Sequence, residues 1–562
     1  MGRKNAAKES PRKQVVGIDK NNVPVVNGAK EAQREFQDGN LAAELPWFES
    51  WFYIIAWSSI VAYMMWSVFL VSREHAEEFN YYDMEPGWWF MGGYRRDISN
   101  FEWEFWTGWF FEIYPWLIGH IIVARLTEYL CPNWRKYTFL LYGVVAVGII
   151  IGSKPLVIIL SHLIVIYLAA MTGSAVVVWI AAVLLLATLN HDQIGSWMKE
   201  LYSDDPYQKQ YYLLLFSLAI CNLRYISFAL IKCQQDGRQI QDGRQNQDGQ
   251  PDDLESLWLL KTNFTDLLLY NFYIPLYFTG PILTYDLFQK QFNKPLKPWS
   301  KEKLLPILKD GARVVFWGIF YHISSHLLYI NALHQKVTLM GQIPLWALVG
   351  TGVLHGVYFQ VKYVPMFGIP ANLSKFDQFD PPLGPKCVLR IYYYSDMWKY
   401  FDRGLYNFLK IHIYIPMGGS KKGVLRQLLG SIVCFSFIYY WHGAEKHLAI
   451  WAFLNFIGIT IETLGKLFSK LQSVVQFRES HISKTMYRRI QALAIIPLWV
   501  MSIAAILYFF GGSRLGYLYF DRIILQGWPV TILTIYLGLY FAGQTAFDIE
   551  RWEARKLKEK TQ

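Results

Sequence analysis

The sequence predicts an all-α, polytopic membrane protein, and three observations carry that prediction. Hydrophobic residues make up 53% of the 562 residues and charged residues only 17%, whereas soluble domains carry about 25% charge. Apolar stretches close to the ~20 residues that cross a bilayer recur from Trp51 almost to Ala546. Aromatic residues reach 17%, as expected where helix ends sit at membrane interfaces. The mean hydropathy of +0.18 excludes disorder, collagen and coiled coil. The formal charge of +11 then reads as basic cytosolic loops rather than a nucleic-acid surface, and no nucleic-acid partner is expected.

Along the chain, residues 1–46 form a polar tail, expected to be cytosolic. It holds eight Lys/Arg and six Asp/Glu with no apolar core, so it is not a cleavable signal peptide. Ala6 stands where a myristoylation signal places Ser or Thr, which argues against an acylated Gly2. Residues 47–545 read as one transmembrane domain. Its spans are expected at Trp51 to Val71, Trp109 to Leu130, Tyr212 to Ile231, Leu267 to Leu287, Ala312 to Tyr329 and Pro344 to Val361, with later ones after Leu428, Ala492 and Trp528. Tyr137 to Leu189 is too long for two spans, and Lys154-Pro155 and Gly173 divide it into three segments, one of them a candidate re-entrant helix. The total is roughly ten to twelve transmembrane or re-entrant helices. The stretch QDGRQI, QDGRQN, QDGQ places a disordered loop insert at 234–253. Residues 546–562 form a basic tail, expected to be cytosolic. Five scattered cysteines without a CxxC pair indicate neither a disulfide framework nor a zinc site.

Ionisable groups beside apolar runs are expensive in a membrane, so each is a functional candidate. His442, in FIYYWHGAEKH, follows an aromatic run and precedes Gly443; an imidazole facing a polar cavity there can act as a general base near neutral pH. The alternative is a histidine satisfied by a neighbouring helix. Region 362–427 is mixed polar and aromatic, and in it Met397, Phe401, Leu405 and Phe408 recur at helical spacing, which predicts an interfacial helix. Asp402 borders its apolar side, either as a functional carboxylate or as one paired locally with Lys399 or Arg403. Gly418-Gly419 before Lys421-Lys422 makes a flexible basic turn able to hold phosphates, although the pattern is short.

The blocks MWKYFDRGLYNFLKIHIYIPMGGS and YYWHG resemble the membrane-bound O-acyltransferase superfamily. Its hedgehog-acylating branch is similar also in FEWEFWTGW, FYIPLYFTGPILTYDLF, PPLGPKCV and FFGGSRLGYLYFDRIILQGWP, so the resemblance covers most of the chain outside the tail and the insert. It implies a helix bundle around a central tunnel and transfer of palmitoyl from palmitoyl-CoA to the N-terminal cysteine of a secreted hedgehog-type signalling protein, in an amide bond. It also implies that Asp402 and His442 occupy the positions of the family's Asp and His, which sets the chain apart from paralogues lacking the His. The branch's cysteine-bound haem would fall on Cys387, otherwise a buried or acylated thiol. Arg403, Lys410, Lys421 and Lys422 become candidates for the CoA phosphates, with solvated loop cations as the alternative.

Other features are read more modestly. His322 and His326, at i, i+4, fit interhelical hydrogen bonding better than a metal, since no third ligand is near. Asn263 and Asn372 are glycosylation sequons that count only if lumenal. Lys558 and Lys560, fifth and third from the end, resemble a KxKxx retrieval signal and point to the endoplasmic reticulum membrane, with membrane lipids as the surrounding partner. Two competing functions remain: acylation of a lipid, sterol or sugar hydroxyl, and a transporter or channel. The latter predicts inverted repeats, and the sequence repeats itself only in the loop insert.

Overall fold

The computed structural model describes residues 41–202, 209–242 and 262–561. Helices dominate, and among the described residues eight are long and apolar enough to cross a membrane, or nine with the bent pair Ala175–Asn190 and Asp192–Glu200, whose axes meet at 66°. Three further helices, Phe101–Leu130, Lys301–Leu327 and Leu345–Ser374, are as long but are not among those eight or nine. The divided region holds three helices as expected, but its first break falls at Gly152, and Lys154-Pro155 lie inside the helix that follows. Arg135–Ile151, Ser153–Met171 and Ala175–Asn190 are separated at Gly152 (φ 92°) and Gly173 (φ 68°), a backbone region that glycine enters without penalty. Pro155 falls in the first turn of its helix, where a missing N–H costs nothing.

The bundle is built around Lys209–Asp242, whose apolar window is 78% buried, whereas Trp47–Glu74 buries only 17%. A helix apolar on every side is expected at such a centre. Ser153–Met171, Ala175–Asn190 and the segment 264–292 pack on it in one large apolar core. Between Trp47–Glu74 and Phe101–Leu130 lies a small antiparallel hairpin, Met84–Glu85 against Arg96–Asp97, with Met84 opposite Asp97 and Glu85 opposite Arg96.

Five expectations need correction. Leu267 to Leu287 is not a span. It comprises a helix Phe264–Asn271, a 3-10 turn Ile274–Leu276, extended chain and a helix Tyr285–Phe292, because Pro275, Gly280 and Pro281 interrupt helical hydrogen bonding. The span from Pro344 does not end at Val361 but runs to Ser374, so region 362–427 starts inside a helix. The interfacial helix through Met397 and Phe408 is two helices, Tyr394–Phe401 and Arg403–Leu409, parted at Asp402. The helix Lys209–Asp242 continues through the first QDGRQ unit; residues 243–253 of the insert, like residues 1–40 of the tail, lie outside the described residues. The basic segment 546–562 is likewise helical as far as Thr561, as part of Val530–Thr561, and it is clasped to the segment before the first helix. Arg551 and Arg555 both pair with Glu44, at 3.0 and 2.7 Å, and Arg488 joins Asp548 to the Ala43 carbonyl, each at 2.8 Å.

Candidate active site

His442 caps the helix Val424–Trp441 and enters a turn through Gly443 (φ 113°) and Ala444 (φ 58°). The turn is pinned on three sides. Tyr439 donates its hydroxyl to the Ala444 carbonyl (2.7 Å), the Asn190 amide donates to the Tyr440 carbonyl (2.9 Å), and the Trp441 indole N–H donates to the Ala219 carbonyl (3.0 Å). The imidazole stands edge-on in an aromatic cage, its ring centroid 4.7 Å from Trp441, 5.1 Å from Phe509 and 5.5 Å from Trp451. Among the described residues it makes no hydrogen bond to the protein. The backbone is therefore held rigidly while both ring nitrogens remain available to a substrate, and no neighbouring helix satisfies the histidine.

Asp402 is the N-cap of Arg403–Leu409, accepting from the Leu405 N–H at 2.9 Å and also from Gly404. Burial pushes its carboxyl from the usual carboxylate range up to about 6. The local cations are engaged elsewhere: Lys399 donates to the Tyr400 hydroxyl (2.7 Å), and the Arg403 guanidinium lies 4.9 Å from the Tyr400 ring centre. Asp402 and His442 share no hydrogen bond. A row of rings connects them instead: Phe401 stacks on Phe359 (4.7 Å, 7°), Phe359 meets Phe510 (4.4 Å), Phe510 meets Phe509 (4.7 Å), and Phe509 touches His442.

The sequence reading did not single out Glu102, although it lies in the quoted block FEWEFW. Its carboxylate accepts from Lys362 Nζ and from the Tyr363 hydroxyl, both at 2.5 Å. Its charge in the first turn of Phe101–Leu130 was the available signal, but that also reads as an ordinary helix-dipole partner.

Of the four cations assigned to CoA, only Arg403 lines the pocket of about 490 Å³ formed by Arg313, Lys375, Pro381 to Lys386, Arg390 and Lys556, with Asp310 and Glu553 among them. Lys410 lies in the π-turn after Arg403–Leu409, its ammonium 5.9 Å from the Tyr406 ring centre. Lys421 and Lys422 are exposed beyond Gly418 (φ 118°) and Gly419 (φ 53°). Cys387 is a half-buried free thiol in the same loop as the pocket wall. The described residues contain no cluster of three His, Cys, Asp or Glu able to hold a metal ion. His322 Nδ1 accepts from Arg96 (2.9 Å), while His326 donates to the His322 carbonyl (2.7 Å) and accepts from the Trp88 N–H (3.1 Å), so both fasten the hairpin to Lys301–Leu327. Asn263 caps Phe264–Asn271, and Asn372 stands in the pocket wall.

The fold is thus a many-helix membrane bundle with one histidine in an apolar cage and the Asp402 carboxyl beyond a wall of rings. The profile of the membrane-bound O-acyltransferase family matches residues 163–509, and the chain belongs to that family. It is 34% identical to the protein-cysteine N-palmitoyltransferase HHAT of Mus musculus, over 84% of this chain and 92% of that protein. It is 28% identical to the mouse HHAT-like protein over 90% and 96%, and 23% identical to the protein-cysteine N-palmitoyltransferase Rasp of Drosophila melanogaster over 81% and 84%.

Proposed function

We propose that this acyltransferase moves palmitoyl from palmitoyl-CoA to the N-terminal cysteine of a secreted hedgehog-type protein, with His442 as general base. One observation carries the catalytic assignment: the His442 imidazole is fixed by its turn yet has no protein hydrogen-bond partner. Its relatives' names supply the reaction. An α-ammonium with a pKa of about 7.7 to 8.0 must lose its proton before it attacks a thioester. The amine nitrogen bonds to the thioester carbonyl carbon, His442 takes the proton, and the C–S bond breaks to release CoA as its thiol once that proton is returned. General-base catalysis of this kind is typically worth about 10²- to 10⁴-fold. Asp402, half-buried on the far side of the ring row, orients backbone donors around the thioester end rather than touching His442.

Orientation follows from charge. Arg313, Lys375, Lys386, Arg390, Arg403 and Lys556 gather on the face that carries the pocket, with Lys375 paired to Asp310. That face is cytosolic by the positive-inside rule, which suits CoA, with Arg403 among its phosphate ligands. The His442 turn ends the same helix whose start carries Arg426, so it faces the lumenal side, where a signalling protein freed of its signal peptide presents its cysteine. Asn263 then lies on the cytosolic face, through Asp266 and Lys136, and carries no glycan. Residence in the endoplasmic reticulum rests on Lys558 and Lys560. A haem on Cys387 rests on the resemblance alone, and no step of the transfer is assigned to it.

The test is transfer of radioactive palmitoyl from CoA to a peptide with a free N-terminal cysteine by the purified protein. The expected result is transfer that falls by about two to four orders of magnitude in His442→Ala while the variant elutes and melts as the wild type does. Labelling of a lipid or sterol hydroxyl in place of the peptide would support the O-acylating alternative and overturn the proposal. A haem on Cys387 predicts a Soret band that disappears in Cys387→Ala.

A further inference from the structure

Phe509 and Phe510 immediately precede the break in Lys484–Tyr519, where Gly511 is followed by Gly512 at φ 69°. Behind Phe510 stands His355, with ring centroids 5.0 Å apart. His355 Nδ1 lies 2.8 Å from Nδ1 of His334, and His334 Nε2 lies 2.9 Å from the Tyr519 hydroxyl, which meets Thr351 Oγ1 at 2.8 Å. All four residues are buried, at 8% exposure or less. Only one proton fits between two facing Nδ1 atoms, so one ring donates there and the other accepts.

This cluster touches neither His442 nor Asp402, and its connectivity is directional. Phe510 lies before the Gly512 break and Tyr519 after it, while His355 and Thr351 belong to Leu345–Ser374, the helix that also carries Phe359. The chain from His355 through His334 to Tyr519 therefore ties both sides of the break to the helix bearing the next ring of the row. A saturated acyl chain offers no polar handle, so an apolar wall can gauge its length only by standing at a fixed distance from the reacting carbonyl. One methylene in an apolar pocket is worth about 10- to 200-fold in discrimination.

We propose that His355, held by His334 and Tyr519, is a positioning residue that fixes the Phe510 ring, and that the aromatic row so fixed between Asp402 and His442 sets the acyl-chain length this enzyme transfers. The inference rests on the proposed acyl transfer and names the part of the molecule that selects the donor.

The experiment measures kcat and KM for a series of saturated acyl-CoA donors from lauroyl to stearoyl, with the N-terminal cysteine peptide as acceptor. Wild type is expected to favour palmitoyl over lauroyl and myristoyl. His355→Leu keeps the volume but loses Nδ1, and Phe510→Leu removes the ring; each is expected to reduce that preference about tenfold. His355→Asn, whose amide can remake the bond to His334, is expected to restore most of it. An unchanged donor preference in Phe510→Leu overturns the proposal even where His355→Leu fails to fold. So does a loss in the His355→Leu and Phe510→Leu variants that is equal for every donor, which marks a role in stability alone. Failure of the wild type to acylate the peptide would instead overturn the proposed function.

Discussion

Trp47–Glu74 and the segment 264–292 are both apolar enough to read as membrane spans, yet they take opposite forms. The first is an unbroken helix of 28 residues with only 17% of its apolar window buried. The second is broken into two short helices and a turn, and from Leu267 to Tyr285 all but Leu268 and Thr279 are buried. Hydrocarbon offers backbone groups no hydrogen bonds, so irregular chain persists at that depth only where protein supplies the partners. Here the supplier is the central helix. The Arg224 guanidinium donates to the Asn271 carbonyl at 3.1 Å and to the Leu276 carbonyl, and Ser227 accepts from the Tyr285 N–H at 3.0 Å. Tyr270 adds a bond to the Leu283 carbonyl at 2.5 Å. The broken segment is in turn the platform on which the Asp402-capped helix rests: a Cβ at Gly404 would fall 2.5 Å from Ile282 N.

The contrast can be broken hardest at Arg224. Arg224→Met leaves two buried carbonyls without a donor, each worth about 1–3 kcal/mol, so the variant is expected to lose about 2–6 kcal/mol and much of its folded yield in detergent. Thermal unfolding followed by intrinsic fluorescence checks this. Gly404→Ala is next, because the added methyl must push the Asp402 helix off Ile282; overpacking of this kind costs about 1–3 kcal/mol, and palmitoyl transfer should fall with it. Asp402→Asn separates function from fold. A half-buried carboxyl raised to about 6 favours the folded state only while protonated, so its contribution is fully present below its unfolded value of about 3.9 and lost as pH rises through about 6. The Asn variant should therefore be no less stable than wild type at pH 7, with the balance shifting toward wild type as pH falls below 6, while its transfer activity is reduced at neutral pH. A melting series against pH reads the first and a turnover assay the second. The smallest effect belongs to the exposed helix: Ile55→Ala, at a residue 60% exposed, should change stability in detergent by less than about 0.5 kcal/mol.

What the sequence showed well was whatever local chemistry decides. Gly173 parted two helices where expected, while the other break fell at Gly152, just ahead of the expected Lys154-Pro155; His442 drew attention because an imidazole interrupts an apolar run. What it hid depends on partners far along the chain. Hydropathy registers the apolar residues of Leu267 to Leu287, but the guanidinium that permits their break comes from Arg224, itself read as part of another span. Glu102 was passed over because Lys362 and Tyr363, which define its surroundings, are 260 and 261 residues away. The spacing of Met397, Phe401, Leu405 and Phe408 suggested one helix because periodicity is blind to a side chain that caps: Asp402 ends one helix and starts the next. The basic C-terminal segment looked like a free tail because its partner, Glu44, lies at the other end of the chain.

That last contact has a consequence for biosynthesis. Trp47–Glu74 packs against Val530–Thr561, and Glu44 just ahead of it is claimed by arginines of that same helix. A ribosome makes about 5–20 residues each second, so the first helix to enter the membrane waits on the order of half a minute to a minute and a half for the helix that will hold it. Until Leu345–Ser374, which also packs on it, has been made, it must survive as an apolar rod in lipid, and its sparsely buried surface equips it to do so. A chain interrupted before Val530 would carry the His442 turn and the Asp402 cap but leave Glu44 without the arginines it pairs with, a difference by which quality control in the membrane can tell a finished molecule from an unfinished one.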